Sequence, residues 1–362
     1  MQQDDRQAAL YSELSRRLDA IPNGFPATES GVELRLLAKL YTPEQALLAA
    51  HLELDLQSAD TVAAQAGCPL PETVAVLKDM ARLGLIRSRQ MDGRPAFGLM
   101  PFMVGVYEAQ LSRMDGELAR LFEEYLQEGF ASGALGTTPA LHRIVPVEQS
   151  IALDVAVFPY EQASQMLDGA LSFGVRDCVC RVQKAFLDQR CIYPIENCVV
   201  FHPAEAAFDR SRTIRPISKE AALLVLRQAS ELGLVHSSAN VQRGHGYICN
   251  CCTCCCAILR GLVEFGSAMA VAGAAFYATV DESICLGCHS CQDACPFGAV
   301  SMMVGKAQID RGRCMGCGLC TVNCPADAVS LSRDPSGTAQ PPPSDEDAWL
   351  RERATNRQLR HS

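Results

Sequence analysis

CLGCHSCQDACP, residues 285–296, and CMGCGLCTVNCP, residues 314–325, decide how the rest of the chain is read. Cys285, Cys288, Cys291 and Cys295 stand at C-x2-C-x2-C-x3-C spacing with Pro296 following, and Cys314, Cys317, Cys320 and Cys324 repeat it with Pro325 following. Three thiols at every third position of a short loop can wrap three corners of a metal cluster. The fourth opens a helix, and the proline keeps the chain from folding back over that sulfur. The repeat extends beyond the thiols. FYATVDESICLGC is echoed by KAQIDRGRCMGC, and CPFGAVSMM by CPADAVSLS. Each half therefore reads strand, ligand loop, short helix, strand.

Residues 276 to 332 resemble the dicluster bacterial-type ferredoxin domain, with no departure at any ligand position. The resemblance implies two 4Fe–4S clusters. It assigns Cys285, Cys288, Cys291 and Cys324 to one, and Cys314, Cys317, Cys320 and Cys295 to the other. Structural zinc also uses C-x2-C pairs, but eight filled positions and both prolines favour the clusters.

Composition bounds the remainder. The chain has 362 residues, 48% hydrophobic, enough for two or three domains with real cores. A net charge of −9 gives no basic footprint for nucleic acid or an anionic membrane. Nineteen cysteines would suggest disulfides in a secreted protein. The start, MQQDDRQAALYSEL, lacks the basic and apolar regions of a signal peptide. The apolar run at 265 to 280 is too short and too rich in small side chains to span a bilayer. A soluble, cytoplasmic protein is expected.

The fold expected is α+β and multidomain. Residues 1–102 form a helical, winged-helix-like domain, 103–140 a connecting helix and linker, and 141–275 a cysteine-rich α/β middle domain. Residues 276–332 are the ferredoxin-like dicluster domain and 333–362 a disordered tail. Within the first part, Leu10, Leu14 and Leu18 share a helix face. Thr42 and Pro43 open the first of three helices, and Asp92-Gly93 turns a hairpin. Helices and hairpin over residues 43 to 102 resemble a winged-helix domain. Its third helix carries Glu72, Lys78, Asp79 and Arg82, which cancel, so protein docking suits it better than DNA. Residues 104 to 129 read as one long amphipathic helix, and IALDVAVF (151–158) and SFGVRDCVCRV as strands.

Cys68 reads as a buried small hydrophobe. Ten further cysteines separate by spacing into two groups. Cys178, Cys180, Cys191 and Cys198 have the form C-x-C-x10-C-x6-C. On a strand the first two would share a face, and the set suits zinc or a third iron–sulfur cluster, with Arg181 and His202 as flanking donors. The second group, CNCCTCCC, supplies Cys249, Cys251, Cys252, Cys254, Cys255 and Cys256. Adjacent side chains diverge, so six thiols in eight residues cannot all bind one cube. They could hold a cluster of unusual shape, join the first group, or stay open for chemistry. His245 is a candidate extra ligand or proton donor.

The GFP..ESGVE segment, the C-x-C-R stretch and CNCC-x-CCC before a dicluster ferredoxin are together similar to a group of bacterial 4Fe–4S binding proteins. The resemblance carries no particular activity. No nucleotide-binding glycine motif is present, so electrons are expected to come from or go to a partner protein. The expected function is an iron–sulfur redox protein whose ferredoxin part relays electrons to or from a metal centre in the middle domain, as electron-transfer subunit or reductase. A redox-sensing winged-helix regulator and a metal-handling assembly factor are the alternatives.

Overall fold

A computed structural model describes residues 2–131, 133–151, 156–335 and 341–359. The chain divides into two compact units: residues 1–137, 182–190 and 353–362 form the first, and residues 138–181 and 191–352 the second.

The first unit begins with the helix Gln2–Asp19, which buries Tyr11, Leu14 and Leu18 on one face. Helix Val32–Leu40 follows, then Pro43–Ala50, opened by a reciprocal cap. Gln45 N–H donates to the Thr42 hydroxyl at 3.3 Å, and Thr42 N–H donates to Gln45 Oε1 at 3.0 Å. After strand β1 (Gln57–Ser58) come helices Ala59–Ala66 and Leu70–Arg82. Strands β2 (Ile86–Met91) and β3 (Arg94–Leu99) then form the expected hairpin. Asp92 and Gly93 both take positive φ, 49° and 76°, as a two-residue hairpin turn requires. The sheet order is β1-β3-β2.

The long helix read over 104 to 129 is instead broken. Irregular turns occupy Phe102–Arg113, and a regular helix starts only at Gly116, running to Tyr125. Asp115 is the cause: its carboxylate accepts from Leu118 N–H at 2.8 Å and starts a new helix there. The aromatic side chains still pack together, with Tyr107 stacked on Phe122 at 3.7 Å and Phe25 against Phe102 and Tyr125.

The second unit is built on a seven-stranded sheet of β4 (His142–Ile144), β5 (Ser172–Asp177), β6 (Glu196–His202), β7 (Ile214–Ile217), β8 (Val235–Ala239), β9 (Tyr247–Cys251) and β10 (Val271–Ala272). Its order is β10-β4-β8-β9-β6-β5-β7, and only the β10/β4 pair is parallel. The helix Lys219–Glu231, capped by Ser218, sends Ala222 and Leu226 into a core with Val199, Phe201 and Ile248. Short helical turns at Pro159–Glu161 and Ala163–Met166 connect into the sheet. Of the strand expected at 151–158, residues 152–155 lie outside the described residues, and Ile151 bridges Leu331.

Four more strands follow the sheet. β11 (Phe276–Val280) pairs with β14 (Val329–Arg333), and β12 (Val300–Met303) with β13 (Lys306–Ile309). The tail is not disordered where described, because a helix runs from Glu346 to Asn356. Trp349 donates to Ala140 O at 2.9 Å within the second unit. Arg353, fully buried in the first unit, donates to Pro22 O at 2.8 Å and to Ala134 O and Thr137 O. Mixed charge and PPP suggested disorder, but these two side chains anchor the segment. Residues 336–340 and 360–362 lie outside the described residues.

Candidate metal centres

The two ligand loops adopt the same backbone. Cys285–Cys291 leads into the helix Ser290–Asp293, and Cys314–Cys320 into Leu319–Val322. Matching positions turn left-handed: Gly287 and Gly316 at φ 67° and 68°, His289 and Gly318 at φ 68° and 81°. A Cβ at Gly287 would lie 2.4 Å from Gly305 O, and one at Gly316 2.2 Å from Phe276 O. The Gly287 loop is drawn against the β12–β13 turn and the Gly316 loop against β11, each at a glycine, leaving the thiols free to converge. The fourth thiols accept backbone donors in parallel, Cys295 from Ala299 N–H and Cys324 from Ala328 N–H, each at 3.2 Å. Ala278 N–H reaches Cys314 at 3.5 Å, and Ala307 N–H is the main cause lowering the Cys285 thiol below its usual range. Such donors suit sulfur carrying negative charge.

The fourth thiol of each run faces the other run. Cys295 acts electrostatically on Cys317 and Cys320, and Cys324 on Cys291. The two sets differ in exposure. Cys288 is exposed, whereas Cys317 and Cys320 are buried, and burial pushes the Cys320 thiol up to about 12. Cys317 O accepts from Val147 N–H at 2.9 Å, Gly318 O from the Ser150 hydroxyl at 2.8 Å, and Met315 O from Ala274 N–H at 3.0 Å. Residues 278–325 match the family model of the 4Fe-4S dicluster domain. The chain matches no curated protein. A dicluster domain implies iron–sulfur clusters, and the paired loops, facing fourth thiols and N–H donors to sulfur fit them.

The ten remaining thiols regroup relative to their order in the sequence. Strand β5 stops at Asp177, so Cys178 and Cys180 do not share a strand face; Cys180 lies in the helix Val179–Ala185. Cys191 leaves its sequence neighbours and joins Cys252, Cys254 and Cys255. Its sulfur lies 3.7 Å from Cys252 and 3.6 Å from Cys254, and Cys254 lies 3.7 Å from Cys255. Among the described residues this is the one set of three or more Cys, His, Asp or Glu whose donor atoms all lie within 4.8 Å. The Cys255 thiol and then Arg181 pull Cys252 down to about 5, while burial and that thiolate push Cys254 up to about 12. One anion is thus held by neighbouring thiols.

The other six are neighbours that interact electrostatically in a closed ring: Cys178 with Cys180 and Cys198, Cys180 with Cys256, Cys256 with Cys251, Cys251 with Cys249, and Cys249 with Cys198. The strand register agrees, because Arg176 lies opposite Cys198 and Val199 opposite Ile248, which sets Cys198 beside Cys249. Contacts from Cys180 and Cys198, then the charge of Arg181, take the Cys178 thiol well below its usual range.

Arg181, only 1% exposed, serves both groups. Burial opposes its charge, but the neighbouring sulfurs of Cys178 and Cys252, both shifted toward the thiolate, hold it firmly protonated. It donates to Pro194 O at 2.6 Å and Asn250 O at 2.8 Å, and lies over the Tyr193 ring. His202 is exposed, and its Nδ1 accepts from Ala204 N–H. His245 faces Ser238 at 3.0 Å rather than a thiol. The sequence reading passed over Ser237 and His142. Ser237 Oγ lies 3.6 Å from Cys251 Sγ and 3.3 Å from His142 Nδ1, and Tyr247 OH lies 2.9 Å from His142 Nε2. Their signal was available: HSS in the middle of β8 places three consecutive polar residues, all buried, in a strand.

Among the described residues no helix is long and apolar enough to cross a membrane.

Proposed function

We propose that the protein is a cytoplasmic electron-transfer protein that carries single electrons between a partner protein and a metal centre among the middle cysteines. The observation that carries this reading is the unequal exposure of the two ligand sets. Cys288 opens to solvent where a partner could dock, while Cys317 and Cys320 are buried and their loop bonds to Val147, Ser150 and Ala274. The clusters, when bound, supply one-electron chemistry. Cys285, Cys288, Cys291 and Cys324 would hold the outer one, and Cys314, Cys317, Cys320 and Cys295 the inner one. The chain's own part is to keep Cys317 and Cys320 dry and to direct N–H groups at sulfur, which sets potential.

The compact four-thiol set would hold a single tetrahedral ion, best a zinc. A zinc–sulfur bond of about 2.3 Å places the sulfurs about 3.8 Å apart in a tetrahedron. The observed 3.6 and 3.7 Å separations lie close to that edge. Zinc does not change redox state, so this site would organise the CNCCTCCC loop. The order of helices and hairpin over residues 43 to 102 fits a winged-helix unit. The third of these helices, Leu70–Arg82, carries self-cancelling charge, with Arg82 paired to Asp79, which favours docking a protein over DNA.

Anaerobic purification with iron, acid-labile sulfide and zinc counted per chain tests this reading. At least about eight irons and about one zinc are expected. A protein with zinc alone, or with clusters that cannot be reduced reversibly, would refute it.

A further inference from the structure

Apart from Cys68, six thiols remain after the dicluster ligands and the compact set, and they converge. Cys178 and Cys180 come from the end of β5 and the following helix, Cys198 from β6, Cys249 and Cys251 from β9, and Cys256 from the residue before the helix Ala257–Val263. Val199 lies opposite Ile248, which sets Cys198 beside Cys249, and Arg176 lies opposite Cys198, which brings the end of β5 and Cys178 alongside. Cys249 and Cys251 lie on one face of β9, and each of the six interacts electrostatically with two others in a ring. We propose that this ring holds an iron–sulfur cluster bound by more than four cysteine thiolates. The proposal rests on the electron-transfer reading above and names the centre that would exchange electrons with the dicluster domain.

Three simpler accounts fit less well. Buried cysteines used as small hydrophobes need not meet one another. Cys68, half-buried rather than buried as the sequence suggested, directs its thiol to Ala66 O at 3.5 Å. A single zinc ion takes four thiolates at close mutual distance. The chain does build such a set, from Cys191, Cys252, Cys254 and Cys255, but no three of the ring thiols are that compact. The ring shares this openness with the dicluster ligands, which also form no compact set among the described residues. An ordinary cube takes four cysteines, as each half of the dicluster pattern does. It would leave two of six converging thiols without a role. A cluster of more than four irons, or one with bridging thiolates, uses all six.

The surroundings suit a charged, electron-accepting centre. Arg181 places a buried cation between the ring and the compact set, countering thiolate charge. The ring also lies on the sheet that leads to the inner ligand loop. From Cys249 and Cys251 on β9 the order runs through β8 and β4 to β10, and Ala274 beyond β10 donates to Met315 O between Cys314 and Cys317. Three strand spacings amount to about 14 Å. Along the first two of them, Cys251, Ser237 and His142 are in successive contact at 3.6 and 3.3 Å.

The test compares the full-length protein, purified anaerobically, with six single variants: Cys178→Ala, Cys180→Ala, Cys198→Ala, Cys249→Ala, Cys251→Ala and Cys256→Ala. Iron and zinc are counted per chain, and the iron is examined by Mössbauer spectroscopy. The wild type should carry iron beyond the roughly eight atoms of the dicluster domain, in a distinct spectral component. At least five of the six variants should lose that component while keeping zinc and the dicluster signal, which also shows that they fold. Wild-type iron at about eight or below, extra zinc in place of iron, or a component that survives two or more of the substitutions would overturn the proposal. The wild-type measurement decides even if some variants aggregate. Failure of the electron-transfer reading shows separately, as dicluster iron that cannot be reduced reversibly whatever the ring holds.

Discussion

Replacing Gly316 by alanine should empty one half of the dicluster domain, and Gly305→Ala should not. Both glycines take left-handed backbone, at φ 68° and 75°. Each substitution therefore costs about 1–2 kcal/mol in backbone strain. The difference is steric. A Cβ at Gly316 would lie 2.2 Å from Phe276 O and 3.1 Å from the Ala274 side chain, whereas one at Gly305 meets nothing within 4 Å. Phe276 O belongs to a strand paired with β14, so it cannot retreat without breaking sheet contacts. Overpacking of this kind adds about 1–3 kcal/mol, for a total of about 2–5 kcal/mol localised on the Cys314–Cys320 loop. The assay is iron per chain with reduced EPR. Gly305→Ala should match the wild type, while Gly316→Ala should lose about four irons and the spin coupling between two clusters. Full iron in Gly316→Ala would show that the loop can move off the strand and that its thiols are not fixed by the close approach.

Cys254→Ala should lose zinc and keep all iron, because its thiol belongs only to the compact set; parallel loss of iron would merge the two middle sites. Arg353→Ala removes a buried guanidinium from the Pro22, Ala134 and Thr137 carbonyls and should cost about 1–3 kcal/mol. Limited proteolysis should then cut in residues 2–131 well before the dicluster domain. Burial holds His142 at about 4, below its usual 6.5. The unfolded chain takes up the proton first as pH falls, so stability should drop between pH 6.5 and 4, by about 3 kcal/mol from this group. His142→Gln should flatten that part of the melting profile, and an unchanged slope would remove His142 as its cause.

The dicluster domain was legible because its chemistry is local: four thiols and a proline at fixed spacing, repeated. Thr42 and the Asp92-Gly93 turn were legible for the same reason. The middle cysteines were not, because their grouping depends on which strands are neighbours. Cys191 and Cys198 are close in sequence, yet one serves the compact set and the other the ring. CNCCTCCC is divided between the two sites as the chain turns from β9 toward the next helix, sending Cys249, Cys251 and Cys256 one way and Cys252, Cys254 and Cys255 the other. The tail misled for a different reason. A polar, proline-containing composition says nothing about two long side chains, Trp349 and Arg353, that find buried carbonyls. The broken helix at 102–125 turned on one carboxylate, Asp115, that a hydrophobic pattern ignores.

The most direct test of the whole account is a potentiometric titration of the intact protein followed by EPR, with spins integrated at each potential. Electron transfer through the dicluster domain to a redox centre among the middle cysteines predicts reversible uptake of more than two electrons per chain, with a signal beyond that of a coupled pair of clusters. Uptake that stops at two electrons, with no further signal, would leave a two-cluster carrier and contradict the relay.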